Sequence, residues 1–440
     1  MVYIDWEGKG MRNGLPENVA EASVQTVRDI HDNGTVVDTE QIKSFTELLG
    51  YTTGMTNPLA RIGSGNRPLN TLGAVARFVW LISGSDRLED IAYYEPRVRA
   101  YSDDNLSVPG SSYGKRIFNA SPGTNQMAGV VQELRDHPDS RRAAAVVWLP
   151  EDAVRQSNDI PCTFGLFFHL RDGGLIMTTV MRSNNAVTLL PYNFFEFSMI
   201  GEIVAAEVGV PFTRYVHWAA SMHFFEQPAT EREKILATND PLAITMPEMP
   251  RGGAFEKAYA LARLEAALRH ASTLEELQKV AEAAHADLGD YWGGFFDVLY
   301  AYGLGKRGFS EHARTAFESL PEHFKAGASK AISPFIEPDP AAEVEEDGGL
   351  FGVGDLEVLT DAMRISTSSS NVEDATWLLG TLQALPTSDD DITLADILAV
   401  KERLAQRDVT LAARDGGGAA ELTQADVAGT LEEVRRERGV

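Results

Sequence analysis

The chain has 440 residues, 44% of them hydrophobic, and a formal net charge of −25. That length predicts two or three domains with sizeable cores, and the acidity argues against a nucleic-acid partner, because such a surface repels phosphate backbones. The single cysteine, Cys162, excludes a disulfide within one chain and a cysteine-based zinc site, and it points to a reducing, cytoplasmic setting.

In chain order, residues 1–10 lack the basic start and apolar run of a secretory signal. No apolar stretch reaches the roughly 18 residues of a membrane span, so no membrane partner is expected. The run ENVAEASVQTVRDI (17–30) predicts an amphipathic helix. RAAAVVWLP (142–150) reads as a buried strand. TFGLFFHL (163–170) and LIMTTVMRS (175–183) flank an Asp172-Gly173 pair, which predicts a β-hairpin. NFFEFSMIGEIVAAEVGV (193–210) has helical periodicity and a stop near Gly209. After about Pro228 aromatics thin out and helix starts multiply. Capping-box patterns fall at Ser272 with Glu275 and at Ser370 with Glu373, and Thr423 with Asp426 forms a weaker one. The acidic stretch 337–350 reads as a linker or loop between two helical regions, 231–336 and 351–440.

Chemistry concentrates in the first half. A lone cysteine is a nucleophile only where a positive neighbourhood lowers its pKa, and a buried apolar role is the alternative. Arg182, across the hairpin, is positioned to approach Cys162. Arg61, Arg141, Arg142 and Arg182 sit on loops or strand ends. The planar fork of arginine suits a phosphate, although each alone reads more readily as a solvated surface charge, and only the set is specific. His217 and His223 are six positions apart, which is not a helical metal spacing, so no metal is expected.

Five blocks taken together resemble the thymidylate synthase and pyrimidine hydroxymethylase family. They are SSYGKRI (111–117), HPDSRRAAAVVWLPED (137–152), IPCTFGLFFHLRDGGL (160–175), RSNNAVTLLPYN (182–193) and VHWAASMHFF (216–225). The resemblance implies an α+β fold, with a mixed β-sheet and flanking helices over 1–230 and an all-α region after it. It implies a homodimer with arginines shared in trans. It also implies that Cys162 adds to C6 of a pyrimidine nucleoside monophosphate (UMP, dUMP, CMP or dCMP), with 5,10-methylenetetrahydrofolate as the one-carbon donor. In that frame Arg61, Arg182 and Ser183 hold the 5′-phosphate, and Arg141 and Arg142 reach the neighbouring subunit. Tyr113 stands near the nucleophile, Asn193 reads the base edge, and His223 binds the ribose.

Several positions depart from the family pattern. Arg77 stands where the family has a glutamate, and it can serve only as a fixed positive charge. Asn185 and Leu189 replace the aspartate and glycine of the folate site, which Trp80 also borders. Phe225 replaces a ribose-binding tyrosine, and Thr163 replaces a histidine. Folate-independent C5 chemistry through the same cysteine, or nucleotide binding without catalysis, therefore stand as alternatives.

Overall fold

The computed structural model describes residues 14–38, 44–65, 68–121 and 123–336. Helix α1 (Val19–Asn33) leads into β1 (Thr35–Val37), β2 (Phe45–Met55) and the short β3 (Ile62–Gly63). Next come α2 (Thr71–Ser83), α3 (Leu88–Ala92), α4 (Tyr113–Phe118), α5 (Gln126–Asp136) and β4 (Ala144–Val146). The hairpin strands β5 (Thr163–Arg171) and β6 (Gly174–Asn185) follow, then α6 (Leu190–Val208) and β7 (Phe212–Phe225). After α7 (Thr230–Leu236) and β8 (Ala243–Ile244) only helices are described: α8 (Ala254–His270), α9 (Leu274–Lys306), α10 (Ser310–Glu318) and α11 (Glu322–Ile336).

The main sheet runs β1-β2-β7-β6-β5-β4. Every neighbouring pair is antiparallel except β6 and β7, which are parallel and joined by α6 as a crossover. The sheet is therefore mixed, and the fold is α+β. The hairpin turn needs two left-handed residues in succession, and Asp172 (φ 53°) with Gly173 (φ 79°) supply them. Helix α1 is capped by the Asn18 side chain, which accepts from the backbone of Ala20 and Glu21. Helix α6 ends on Gly209 in the left-handed conformation.

Three expectations are adjusted. The strand expected over 142–150 is ordered as a strand only at β4. It is an edge strand, and the Gln126 side-chain amide stands in for the missing neighbour, accepting from Val146 N and donating to Val146 O at 2.8 Å each. The capping box expected at Ser272 and Glu275 is made one residue later. There Thr273 Oγ1 accepts from Glu276 N and the Glu276 carboxylate accepts from Thr273 N. The helices of 254–336 share one continuous hydrophobic core with the sheet and α2. Trp292 stacks on Phe78 of α2 at 6.3 Å, and Phe324 meets Phe295 edge-on. The described helices of 254–336 thus complete that core. The patterns at Ser370 and Thr423, the linker 337–350 and the helical region 351–440 lie outside the described residues. Among the described residues no helix is long and apolar enough to cross a membrane.

Candidate active site

Cys162 sits half-buried where the chain enters β5. Its carbonyl accepts from the backbone N–H of Arg182 at 2.8 Å, so the hairpin register fixes nucleophile and arginine side by side. The Arg182 guanidinium folds back over the same segment. Its Nε donates to Pro161 O at 2.8 Å, and one Nη donates to Ile160 O at 3.1 Å. Its plane lies over Trp148, and the side chain remains exposed. Burial pushes the Cys162 thiol up from its ordinary value, Arg182 pulls it down and Asp159 pushes it up again. Free of ligand, the sulfur therefore carries its proton at neutral pH.

Asp159 is buried and organises the opposite wall. It accepts from Gly110 N at 2.6 Å and from the Ser111 hydroxyl. That clasp delivers Tyr113, at the start of α4, toward the cysteine. Gly114 lets α4 lie on α2, because a Cβ there would sit 1.7 Å from the carbonyl oxygen of Leu81. Tyr113 stacks on Phe197 at 6.1 Å, and its hydroxyl faces that of Thr163. Thr163 Oγ1 is buried without a hydrogen bond of good geometry. Burial pushes the Tyr113 phenol well up, so it stays a hydrogen-bond donor.

Arg77 lies on α2 between two carboxylates. Its Nε donates to Glu196 at 2.8 Å and one Nη donates to Glu95 at 2.7 Å. The guanidinium also faces the Tyr192 ring at 5.6 Å. Burial works against its charge, but the two acids outweigh that and hold its pKa well above the usual value. Burial raises the Glu196 carboxyl, with Arg77 opposing the rise. The half-exposed Tyr101 stands within electrostatic reach of both Arg77 and Cys162. Glu95, Glu196, Tyr101 and Asp159 carried no sequence signal, since each joins the group only through folding.

On the other side, Ser183 Oγ is 3.4 Å from His223 Nδ1, and His223 meets Phe225 edge-on at 5.4 Å. Burial lowers the His223 pKa, so its ring is neutral at neutral pH. Asn193, in the first turn of α6, is buried and accepts from the Asn184 side chain at 2.8 Å. Asn185 is buried, and its Oδ1 is taken up by its own chain, accepting from the backbone of Val187 and Thr188 at 2.9 Å each. Leu189 takes the N-cap position of α6 and is half-buried. Trp80 is half-buried, and its indole N–H is buried without an acceptor.

Two sets of arginines lie elsewhere. Arg61 is fully buried, with Nη2 donating to Glu202 at 2.6 Å. The expectation that it holds a phosphate is corrected, because its charge is already neutralised inside the core. Arg141 and Arg142 are exposed. Ala144 pairs with Phe167, so they precede β4 at the end of β5 far from Cys162. About seven strand residues separate the two levels, roughly 20 Å or more. These two arginines do not reach the cysteine of their own chain.

A family model described as thymidylate synthase matches residues 25–250. The deoxyuridylate hydroxymethyltransferase of Pseudomonas phage M6 is 30% identical over 223 residues, covering 50% of this chain and 61% of the phage protein. A protein of Methanocaldococcus jannaschii provisionally named a thymidylate synthase is 28% identical over 215 residues, 47% of this chain and 88% of its own length. The deoxyuridylate hydroxymethyltransferase of Bacillus phage SP01 is 28% identical over 171 residues, 36% of this chain and 44% of that enzyme.

Proposed function

Because the chain belongs to the thymidylate synthase family, we propose that it transfers a one-carbon unit to C5 of a pyrimidine nucleoside 5′-monophosphate, with a hydroxymethyl product. The observation that carries this reading is the lone thiol of Cys162 held against Arg182 by the hairpin, with Tyr113 and the Arg77 cluster facing it. The names of the two phage relatives favour hydroxymethyl over methyl.

In this mechanism the Cys162 sulfur adds to C6 and an electron pair moves through C5 and C4 onto O4. The amide of Asn193 donates to O4, and the positive charge of Arg77 lies on the same side of the site. Tyr113 holds the hydroxyl that orders a water for the C5 proton. C5 would first bond the one-carbon unit, so that it carries both that unit and its hydrogen. Loss of the proton to the water ordered by Tyr113 then re-forms the C5–C6 double bond as the thiolate departs, and a second water would replace the donor nitrogen to leave the hydroxymethyl group. Ser183 and the free edge of Arg182 hold the phosphate, and His223 holds the ribose beside Phe225. The Phe225 ring offers no hydroxyl to the sugar.

Trp80 would border a folate ring, since its indole is half-buried and its buried N–H has no acceptor of its own. Leu189 would border the same ring, while Asn185 has only its Nδ2 to offer. When bound, methylenetetrahydrofolate supplies the one-carbon unit at the oxidation level of formaldehyde. The occupation of Asn185 Oδ1 by its own backbone favours a second reading, in which the same cysteine adduct serves C5 chemistry without folate.

A second copy of the chain completes the site. Arg141 and Arg142 lie too far from their own Cys162, and the sheet face away from α6 exposes Val146 (46%) and Phe167 (38%) beside half-exposed Val180 and Trp218. Such a surface suits a two-fold isologous contact.

Release of tritium from C5 of the nucleotide tests the reading. The wild-type protein should release it only with methylenetetrahydrofolate, and Cys162→Ser should release none. Release without folate would move the assignment to the second reading. No release from any of the four nucleotides would end both.

A further inference from the structure

A buried polar chain runs from the sheet to the amide of Asn193. Its members are Thr179, Tyr215, His217, Asn184 and Asn193, all buried. The Tyr215 hydroxyl is 3.1 Å from Thr179 Oγ1 and 2.9 Å from His217 Nδ1. His217 Nε2 is 3.0 Å from Asn184 Oδ1, and Asn184 Nδ2 donates to Asn193 Oδ1 at 2.8 Å. The ring of Phe194 packs edge-on against the imidazole at 5.4 Å and closes it from one side.

Proton counting gives the chain a direction. Burial pushes the His217 pKa down to about 3, so the ring is neutral and carries one N–H. Asn184 Oδ1 can only accept, so that hydrogen is on Nε2. Nδ1 then accepts from the Tyr215 hydroxyl, whose single hydrogen is shared between Nδ1 and Thr179 Oγ1. With Oδ1 of Asn184 fixed by the histidine, its NH2 is aimed at Asn193 Oδ1. Asn193 is left with both hydrogens of its own NH2 and one lone pair on Oδ1.

The geometry points to Asn184 as a positioning residue that, backed by His217, locks the Asn193 amide with its NH2 toward the 4-position of the base and so selects uracil over cytosine. This inference rests on the proposed role of Asn193 at the base edge and adds what orients it. A uracil presents a carbonyl at C4 and an N–H at N3, which match the free NH2 and lone pair of Asn193. A cytosine presents an amino group and a bare N3, so donor would meet donor and acceptor would meet acceptor.

The test measures kcat and KM for tritium release from C5 of uracil and cytosine nucleotides, with the full chain and methylenetetrahydrofolate. Wild type should favour uracil by about 100-fold or more in kcat/KM. Asn184→Ala frees the Asn193 amide to rotate, and the ratio should fall at least about tenfold, mostly through KM. Asn184→Asp keeps the acceptor for His217 but takes the Asn193 NH2, turning Oδ1 to the base, so the ratio should move further toward cytosine. A general loss of packing would lower both substrates together and leave the ratio unchanged. If Asn184→Ala does not fold, the isosteric Asp variant carries the same test. A wild-type preference for cytosine, or a ratio unmoved in a folded variant, overturns the inference and leaves the proposed function standing. No release from either base by wild type overturns both.

Discussion

Replacing Arg77 by alanine would leave two carboxylates facing one another across the site. The guanidinium lies 2.8 Å from Glu196 and 2.7 Å from Glu95, with side-chain exposures of 26%, 6% and 11% respectively. Removing one partner of a fully buried pair costs about 3–5 kcal/mol. Water reaches the guanidinium here and screens it in part, so about 2–3 kcal/mol is expected at neutral to alkaline pH. Burial already raises the Glu196 carboxyl while Arg77 holds it down. A carboxyl whose folded pKa is raised binds its proton more tightly in the folded state. Its contribution to stability is therefore present at low pH and lost as pH rises through the folded pKa. Without Arg77 that pKa rises further, so the variant should recover part of its loss once Glu196 is protonated. Urea unfolding of wild type and Arg77→Ala near pH 8 and near pH 5 measures this. The stability gap should be wider at the higher pH. A gap equal at both, or below about 0.5 kcal/mol at each, would refute the assignment of a buried ion triplet.

Asp159→Asn removes the negative charge that raises the Cys162 thiol while keeping an acceptor for Gly110 N. Iodoacetamide should then modify Cys162 several-fold faster near neutral pH, and Arg182→Ala should slow it. Gly114→Ala drives a Cβ against the Leu81 carbonyl, so thermal unfolding should show a loss of about 2–3 kcal/mol together with weakened nucleotide binding. In mixtures of Cys162→Ser with Arg141→Ala/Arg142→Ala protein, random pairing makes half the dimers mixed, each with one intact site. Tritium release should therefore return to about a quarter of wild type, and no recovery would count against arginines in trans.

The parts of this fold that were legible in the sequence are those with a local physical cause. Asp172-Gly173 specifies its hairpin because few residues accept two successive left-handed conformations. Gly209 marks the end of α6 for a similar reason, since it adopts the left-handed conformation. The approach of Arg182 to Cys162 was readable because a hairpin register follows from its turn. The fate of Arg61 was not, because its neutralising partner, Glu202, stands 141 positions away on α6. Glu95 and Glu196 were invisible for the same reason, and Arg77 alone looked like an isolated substitution. The Asn184–His217 chain was hidden as well. Asn184, which carried no signal, and His217, which read only as a non-metal histidine, become a relay only when β6 and β7 lie in parallel register and α6 returns Asn193 to their end.

Trapping the covalent intermediate tests the central claim most directly. A fluorine at C5 cannot depart as a cation, so a 5-fluoro pyrimidine nucleotide incubated with protein and methylenetetrahydrofolate should stall while bonded to sulfur. Mass spectrometry of proteolytic fragments should find the added mass on the peptide containing Cys162, and nowhere in Cys162→Ser protein. An unmodified Cys162 peptide, under conditions where the natural nucleotide still loses its C5 hydrogen, would contradict the assignment of this thiol as the nucleophile.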